Sequence, residues 1–315
     1  MYTKRFIIVL IVSLAVCYTS SRIFDARYKK NFATLYFNSL DSITDKSKQY
    51  DIIFLGDSRI HFGLNPYYTD SVTALSAYNF GVGGSDAAML QLMGKLYLQN
   101  HEPPGYVVIG AGNSMVNPVL AEDIQYHLLY YLKNPLVYDY YSKMNRSVVM
   151  AKYLPFLKYC FFNEYNRAFL FKKMRSFNNF NHNVYKGFIN DTETNNSMHR
   201  FAAPVVKPID TTSIAMVKAL VLQYKSAGSK VIIVSPPRRD HISEVLKNVY
   251  DRTDSIFSAV ATQCGVYYYK AGIHQKYDDI YFTDEGHLNE PGTRIFSTET
   301  GIFLRDSIIK KQPHF

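Results

Sequence analysis

A three-layer α/β/α fold around a mostly parallel five-stranded sheet is what this 315-residue chain predicts. Three observations carry that reading. Short apolar runs without strong alternation recur along the chain, as in strands buried on both faces. Helical patterns separate the runs, which argues for a sheet covered on both sides. Glycine-containing turns directly follow three of them, at the sheet edge where ligands bind.

The strand candidates are, in order, Asp51 to Leu55, Ala77 to Phe80, Tyr106 to Ile109, Lys230 to Ser235 and Gly265 to Tyr269. Helices are expected over Asp86 to Gln99, Thr211 to Ser226 and Ser243 to Cys264. In the first of these, Ala87, Leu90, Met93, Leu96 and Leu98 fall on or near one face. Ala227-Gly228-Ser229 stops the second. The glycine turns are Gly56-Asp57-Ser58, Gly81-Val82-Gly83-Gly84 and Gly110-Ala111-Gly112-Asn113. Residues 119–207 break the rhythm with a crowd of Tyr, Phe, Leu and Lys. We read that stretch as a helical insertion, either a cap packed over the cleft or a surface turned to a membrane, with packing preferred. Phe177 to Arg200, rich in Asn and His, reads as a polar loop.

At the N-terminus, Lys4 and Arg5 precede an apolar run from Phe6 to Tyr18. This is the layout of a secretory signal or an anchor. Ala15 and Cys17 match a cleavage site weakly, and Val16 spoils a lipoprotein signal. The expectation is an uncleaved signal anchor over residues 1–24 with its positive end cytoplasmic. Residues 25–315 then form an extracytoplasmic body; cleavage is the main alternative, and a cytoplasmic N-terminal helix is a distant third.

The chain carries 35 Lys and Arg against 26 Asp and Glu, a net charge of +9, which favours anionic surfaces such as phospholipid or acidic glycan. Nucleic acid is not an expected partner, because no recognition motif and no dense basic cluster is present. Three cysteines in no Cys/His pattern give no reason to expect zinc, and Cys160 and Cys264 are expected as buried thiols. A dinucleotide loop is excluded at residues 81–86, where Asp86 stands in the last glycine position.

The chemistry concentrates in two short stretches. Ser58 follows the first strand, where a sheet can present a nucleophile. A serine hydroxyl needs a base, and the base needs a group that fixes its tautomer. Asp284 stands three residues before His287, so one turn can supply both. An acyl intermediate also needs N–H donors for its oxyanion. The candidates are the Ser58 and Gly84 backbones and the Asn113 side chain. Alone, Ser58 would read as a helix N-cap, Asp284 as turn chemistry and Asn113 as a turn Asn. The other histidines, His61 and His101 among them, are expected to be structural. Arg59, Arg238 and Arg239 are candidate contacts to an anionic substrate.

Taken together the motifs resemble the SGNH/GDSL hydrolase superfamily. Gly56-Asp57-Ser58 is similar to its nucleophile block, Asn79-Phe80-Gly81-Val82-Gly83-Gly84 to its second block, and Asp284-Glu285-Gly286-His287-Leu288 to its last. The third block, Gly-x-Asn-Asp in the family, fits imperfectly: aligning Gly110 puts Gly112 at the Asn position, and aligning Asn113 puts Ala111 and Ser114 at the Gly and Asp positions. The resemblance spans roughly residues 50 to 300 outside the insertion, and implies a flavodoxin-like layering, Ser58, His287 and Asp284 as catalytic residues, and no metal or organic cofactor. The anchor and the aromatic insertion resemble a branch acting on cell-surface polysaccharides. The expected function is a membrane-anchored serine esterase of the cell envelope, acting on acyl esters, acetyl esters foremost, of a small molecule or glycan. The alternatives are an O-acyltransferase of a cell-surface polysaccharide and a catalytically silent glycan- or partner-binding protein.

Overall fold

The computed structural model describes residues 2–32, 38–117, 125–144, 146–161, 184–189, 208–272 and 277–310. They divide into two compact units, Met1–Phe37 with Ala121–Phe180, and Asn38–Leu120 with Asn181–Phe315.

In the second unit, seven strands occur among the described residues: β1 Ile52–Leu55, β2 Ala77–Asn79, β3 Tyr106–Gly110, β4 Val184–Tyr185, β5 Phe188–Ile189, β6 Lys230–Ser235 and β7 Tyr267–Lys270. Five of them form one all-parallel sheet in the order β2-β1-β3-β6-β7. The first four expected strands lie within a residue of their observed positions. The fifth begins two residues later, because Gly265 adopts φ 60° and caps the preceding helix, bonding back to Ala261 and Thr262. The sheet is apolar on both faces: Ile52, Phe54, Val108, Ile232 and Val234 join the core cluster that includes Phe296, and the alternate residues Ile53, Val107 and Ile233 are equally buried.

The expected helices form at Ala87–Asn100, Thr211–Ser226 and Glu244–Cys264. Each opens on a side-chain cap one residue before it: Asp86 accepts from Met89 N, Asp210 from Thr212 N, and Ser243 from Leu246 N. Two further helices, Pro66–Thr73 and Glu290–Phe303, pack on each other and were not anticipated. Their signals were present, since Asn65-Pro66 and Asn289-Glu290-Pro291 each set a capping Asn before an early proline. Part of the expected polar loop forms a hairpin instead. β4 and β5 pair antiparallel through Lys186 at φ 45° and Gly187 at φ 80°. The Lys186 carbonyl accepts from Asn79 N, so this hairpin meets the end of β2. The rest of that loop lies outside the described residues.

The first unit holds the helix Tyr2–Phe32, whose stretch Tyr2–Ala26 contains an 18-residue window of mean hydropathy 2.0 and is long and apolar enough to cross a membrane. Its far end packs within the same unit, with Phe24 edge-on to Tyr159 and tilted against Phe156. Helices Pro135–Met144 and Val148–Tyr153 and short 3₁₀ turns make up the part of the expected helical insertion described in this unit; its described part in the other unit is the β4–β5 hairpin rather than helix, and residues 118–124, 145, 162–183 and 190–207 lie outside the described residues.

The chain order places the site. From β1 the chain steps outward to β2, then crosses back to β3 on the other side of β1. The connections diverge between β1 and β3, and a crevice opens at their carboxyl ends. Ile60, fully buried, plugs the sheet there: a Cβ on Gly56 would lie 2.4 Å from its Cγ1, and one on Gly110 2.1 Å. Only glycine at the ends of both strands leaves room for it.

Two outcomes follow from this packing. Gly110→Ala should destabilise the protein by about 1–3 kcal/mol in urea unfolding, as overpacking does, and Ile60→Val should recover part of that loss. His61 is fully buried, and burial first, with the His287 charge adding, pushes its pKa from 6.5 down to about 3 against a hydrogen bond with the Gly187 backbone. The native state therefore binds fewer protons than the unfolded chain below pH 6.5. Stability should be full above that pH and fall steadily toward pH 3, and His61→Gln should flatten the fall.

Candidate active site

Ser58 opens the four-residue helix Ser58–His61. Its neighbour Asp57 caps that helix, its Oδ1 accepting from Arg59 N at 3.0 Å. The other oxygen, Oδ2, lies against Gly112, where a Cβ would approach to 2.2 Å, and accepts from Ser114 Oγ at 3.3 Å. Ser114 Oγ also reaches the Ser85 carbonyl at 2.8 Å. The turns after β1, β2 and β3 are thus tied together. Asn79 adds a second tie: its Nδ2 donates to the carbonyls of Ile60 and Leu64 at 2.8 and 2.7 Å, and its Oδ1 accepts from Gly81 N at 2.8 Å.

His287 and Asp284 come from a closed turn after β7. Thr283 N bonds to the His287 carbonyl at 2.9 Å, and Phe282 bridges Leu288. Asp284 Oδ1 accepts from the backbones of Gly286 and His287 at 2.7 and 2.8 Å. Its Oδ2 lies 2.7 Å from His287 Nδ1, and His287 Nε2 lies 2.8 Å from Ser58 Oγ. A carboxylate only accepts, so Nδ1 carries the imidazole proton and Nε2 accepts from the serine. Phe62 meets the imidazole edge to face at 5.7 Å and helps hold its plane. Burial tends to raise the Asp284 carboxyl, but the His287 contact and the two backbone N–H groups outweigh it, so it titrates below the ordinary carboxylate value.

Ser58 and His287 line a cleft of about 240 Å³ together with Gly84, Asn113, Leu246, Val249, Tyr250 and Glu285. Gly84 has φ 67°, a backbone that a side chain would strain. Its turn is pinned to β1, with Val82 N and Ser85 Oγ both donating to the Gly56 carbonyl, at 2.9 and 3.0 Å. Asn113 Oδ1 accepts from Asn117 Nδ2 at 2.9 Å and Thr253 Oγ1 at 3.4 Å, which orients the amide at the cleft wall. The Ser58 N–H lies in the first turn of its helix, where no carbonyl of that helix can take it. Of the five residues singled out for the reaction, Ser58, Gly84, Asn113 and His287 therefore line one cleft, and Asp284 stands behind His287 at 2.7 Å.

The arginines have other partners. Arg238 does not line the cleft: it is held by Asp254 and, at 2.6 Å, by Asp251. Arg239 is 2.8 Å from Asp279 and buried. Arg59 does line the cleft, but its guanidinium donates to the carbonyls of Pro236 and Pro237 at 2.9 Å and stacks over Tyr250 at 4.7 Å. It staples the Ser58–His61 helix to the loop after β6. Sequence reasoning passed over the apolar wall of Leu246, Val249 and Tyr250. Their i, i+3, i+4 spacing on the Glu244–Cys264 helix marks one face but does not say that the face borders a cleft rather than the core.

No protein-family model matches the chain. No curated protein matches it either. Among solved structures the chain is similar to a putative lipolytic protein of the G-D-S-L family from Desulfitobacterium hafniense, at 12% identity and TM-score 0.41, covering 80% of this chain and 98% of that one. It is similar to a catalytic mutant of Axe2, an acetylxylan esterase from Geobacillus stearothermophilus, at 14% identity and TM-score 0.42, covering 82% and 94%. A lipase/acylhydrolase from Enterococcus faecalis is alike at 13% identity and TM-score 0.43, covering 84% and 100%. At such identities and scores the likenesses bear no weight for the site, which stands on its own distances.

Proposed function

We propose that this protein is a serine esterase of the SGNH kind, with residues 25–315 as the hydrolase body and residues 1–24 as a membrane anchor that leaves the body extracytoplasmic. The observation that carries the enzymatic reading is the continuous chain from Ser58 Oγ through His287 to Asp284, at 2.8 and 2.7 Å. The anchor rests on the apolar stretch Tyr2–Ala26 behind Lys4 and Arg5.

In the reaction, Ser58 Oγ attacks the ester carbonyl carbon while His287 Nε2 takes the hydroxyl proton. Negative charge gathers on the former carbonyl oxygen, where the Ser58 and Gly84 N–H groups and the Asn113 amide receive it. Asp284 holds the imidazole tautomer and stabilises the imidazolium that forms. The C–O bond to the alcohol breaks, and His287 returns its proton to the leaving oxygen. A water then attacks the acyl-Ser58, giving its proton to His287, and collapse of the second intermediate releases the carboxylic acid and restores Ser58. The size of the cleft and its apolar wall support a short acyl group, acetyl foremost, on a small alcohol or a sugar.

Hydrolysis of p-nitrophenyl acetate tests the reading. Ser58→Ala and His287→Ala should each lower kcat by on the order of a thousandfold or more. Equal turnover in all three proteins would overturn it. Asn113→Ala should cost about a hundredfold in kcat, as loss of one oxyanion donor does, with KM little changed.

Asp284→Asn should cost about 10⁴-fold in kcat at neutral pH by presenting the wrong tautomer. It also bears on stability. The carboxyl titrates below 3.8 in the folded protein, so its stabilising contribution is complete above that pH and is lost as pH falls through the lowered value. Wild type and Asp284→Asn should therefore differ in urea midpoint at pH 7 and converge in strong acid.

A further inference from the structure

The first unit contains a second cavity, of about 240 Å³, within that unit alone. It lies between the far end of the apolar helix, at Ser21, Arg22 and Asp25, and the insertion, which contributes Lys152 and Lys158 from short helical segments and Lys133 from a turn before the Pro135–Met144 helix. Four basic side chains line it, and Asp25 is the one carboxylate among the described lining residues. Asp25 is already engaged: Lys158, only 6% exposed, pairs with it at 2.5 Å, and the Tyr159 hydroxyl bonds to it as well. Arg22, Lys133 and Lys152 are therefore left in excess of the available negative charge. Ser21, 1% exposed, also lines the cavity, and its Oγ has no hydrogen-bond partner. A buried hydroxyl without a partner is costly unless something else satisfies it. Burial lowers the Lys158 pKa, and the Arg22 and Lys133 charges add to this against Asp25, so the site gains from an anion.

Depth along the helix says where that anion comes from. A bilayer core about 30 Å thick takes about 20 residues of helix. Counted from Phe6, just after Lys4 and Arg5, such a span ends at Asp25. The cavity, walled on the helix side by Tyr18 to Asp25, thus lies at the end of that span, next to the headgroups of the leaflet away from the basic N-terminus. We propose that it binds the phosphate of an anionic lipid headgroup, with Arg22, Lys133 and Lys152 as charge partners and Ser21 as a hydrogen-bond donor. This rests on the membrane-anchor reading and is independent of the Ser58 chemistry.

The test uses the full chain in detergent, with native mass spectrometry after addition of phosphatidylglycerol or phosphatidylcholine. Phosphatidylglycerol should be retained in preference to phosphatidylcholine. Lys133→Gln/Lys152→Gln should weaken it about thirtyfold, at roughly fivefold per headgroup-facing charge. The Lys133→Arg/Lys152→Arg pair should keep it, and Lys46→Gln/Lys247→Gln, two exposed lysines of the other unit, should leave it unchanged. Equal retention of both lipids, or equal loss from the two Gln pairs, would overturn the proposal. Saturation by inorganic phosphate at the same two lysines, without lipid retention, would overturn the lipid source and leave a soluble phosphate as ligand. Two controls separate the underlying readings: carbonate extraction of membranes reports on the anchor, and fluorophosphonate labelling of Ser58, expected to be equal in all variants, reports on the esterase.

Discussion

Ile60 stands in a notch that Gly56 and Gly110 leave at the carboxyl ends of adjacent strands, and the position of Ser58 follows from that contact. A four-residue helix has no stability of its own, since nucleation alone is unfavourable. Its place must come from outside, and here it comes from a fully buried isoleucine pressed against two backbones. Asp57 at the N-cap and Asn79 beneath the turn then remove the remaining freedom. Ser58, the proposed nucleophile, is held by packing on one side and by buried hydrogen bonds on the other.

The same economy runs through the other loops. Gly84 and Asn113 can serve one oxyanion only if the turns after β2 and β3 are held relative to the turn after β1. The Asp57–Ser114–Ser85 linkage and the bonds to the Gly56 carbonyl hold them. Such donors are effective because they are oriented before the charge appears and no reorganisation is needed when it does. Gly112 takes part without donating anything: its lack of a side chain admits the Asp57 carboxylate. That gives a physical reason for glycine on both sides of Ala111, and it locates Asn113 as the amide of the third turn.

Unit by unit, charge is handled differently. Around the cleft, arginines are consumed by carboxylates, carbonyls and the Tyr250 ring, and the cleft wall is largely apolar. In the unit that carries the apolar helix, four basic side chains line a cavity that has one carboxylate among its described lining residues. A net charge of +9 is therefore not a uniform coat: part of it is neutralised in ion pairs, and part is concentrated where an anion can meet it.

By itself the sequence determined the parallel sheet, the three capped helices and the apolar N-terminal segment, because each depends on local periodicity and on residues within a few positions of one another. Ser58, and Asp284 with His287, were legible for the same reason: a serine after a strand and an Asp-x-x-His turn are local patterns. The helix Glu290–Phe303 and the Lys186–Gly187 hairpin were missed although their capping and turn signals were local; neither has a long apolar pattern to announce it. Arg59, Arg238 and Arg239 were assigned by charge alone, and only the fold reveals the carbonyls and carboxylates that occupy them. Whether Leu246, Val249 and Tyr250 face the core or a cleft is likewise a tertiary fact. The distance of 2.8 Å between Ser58 and His287 joins residues 229 apart in the chain. No local rule reaches that far; it is set by the order in which the strands pair.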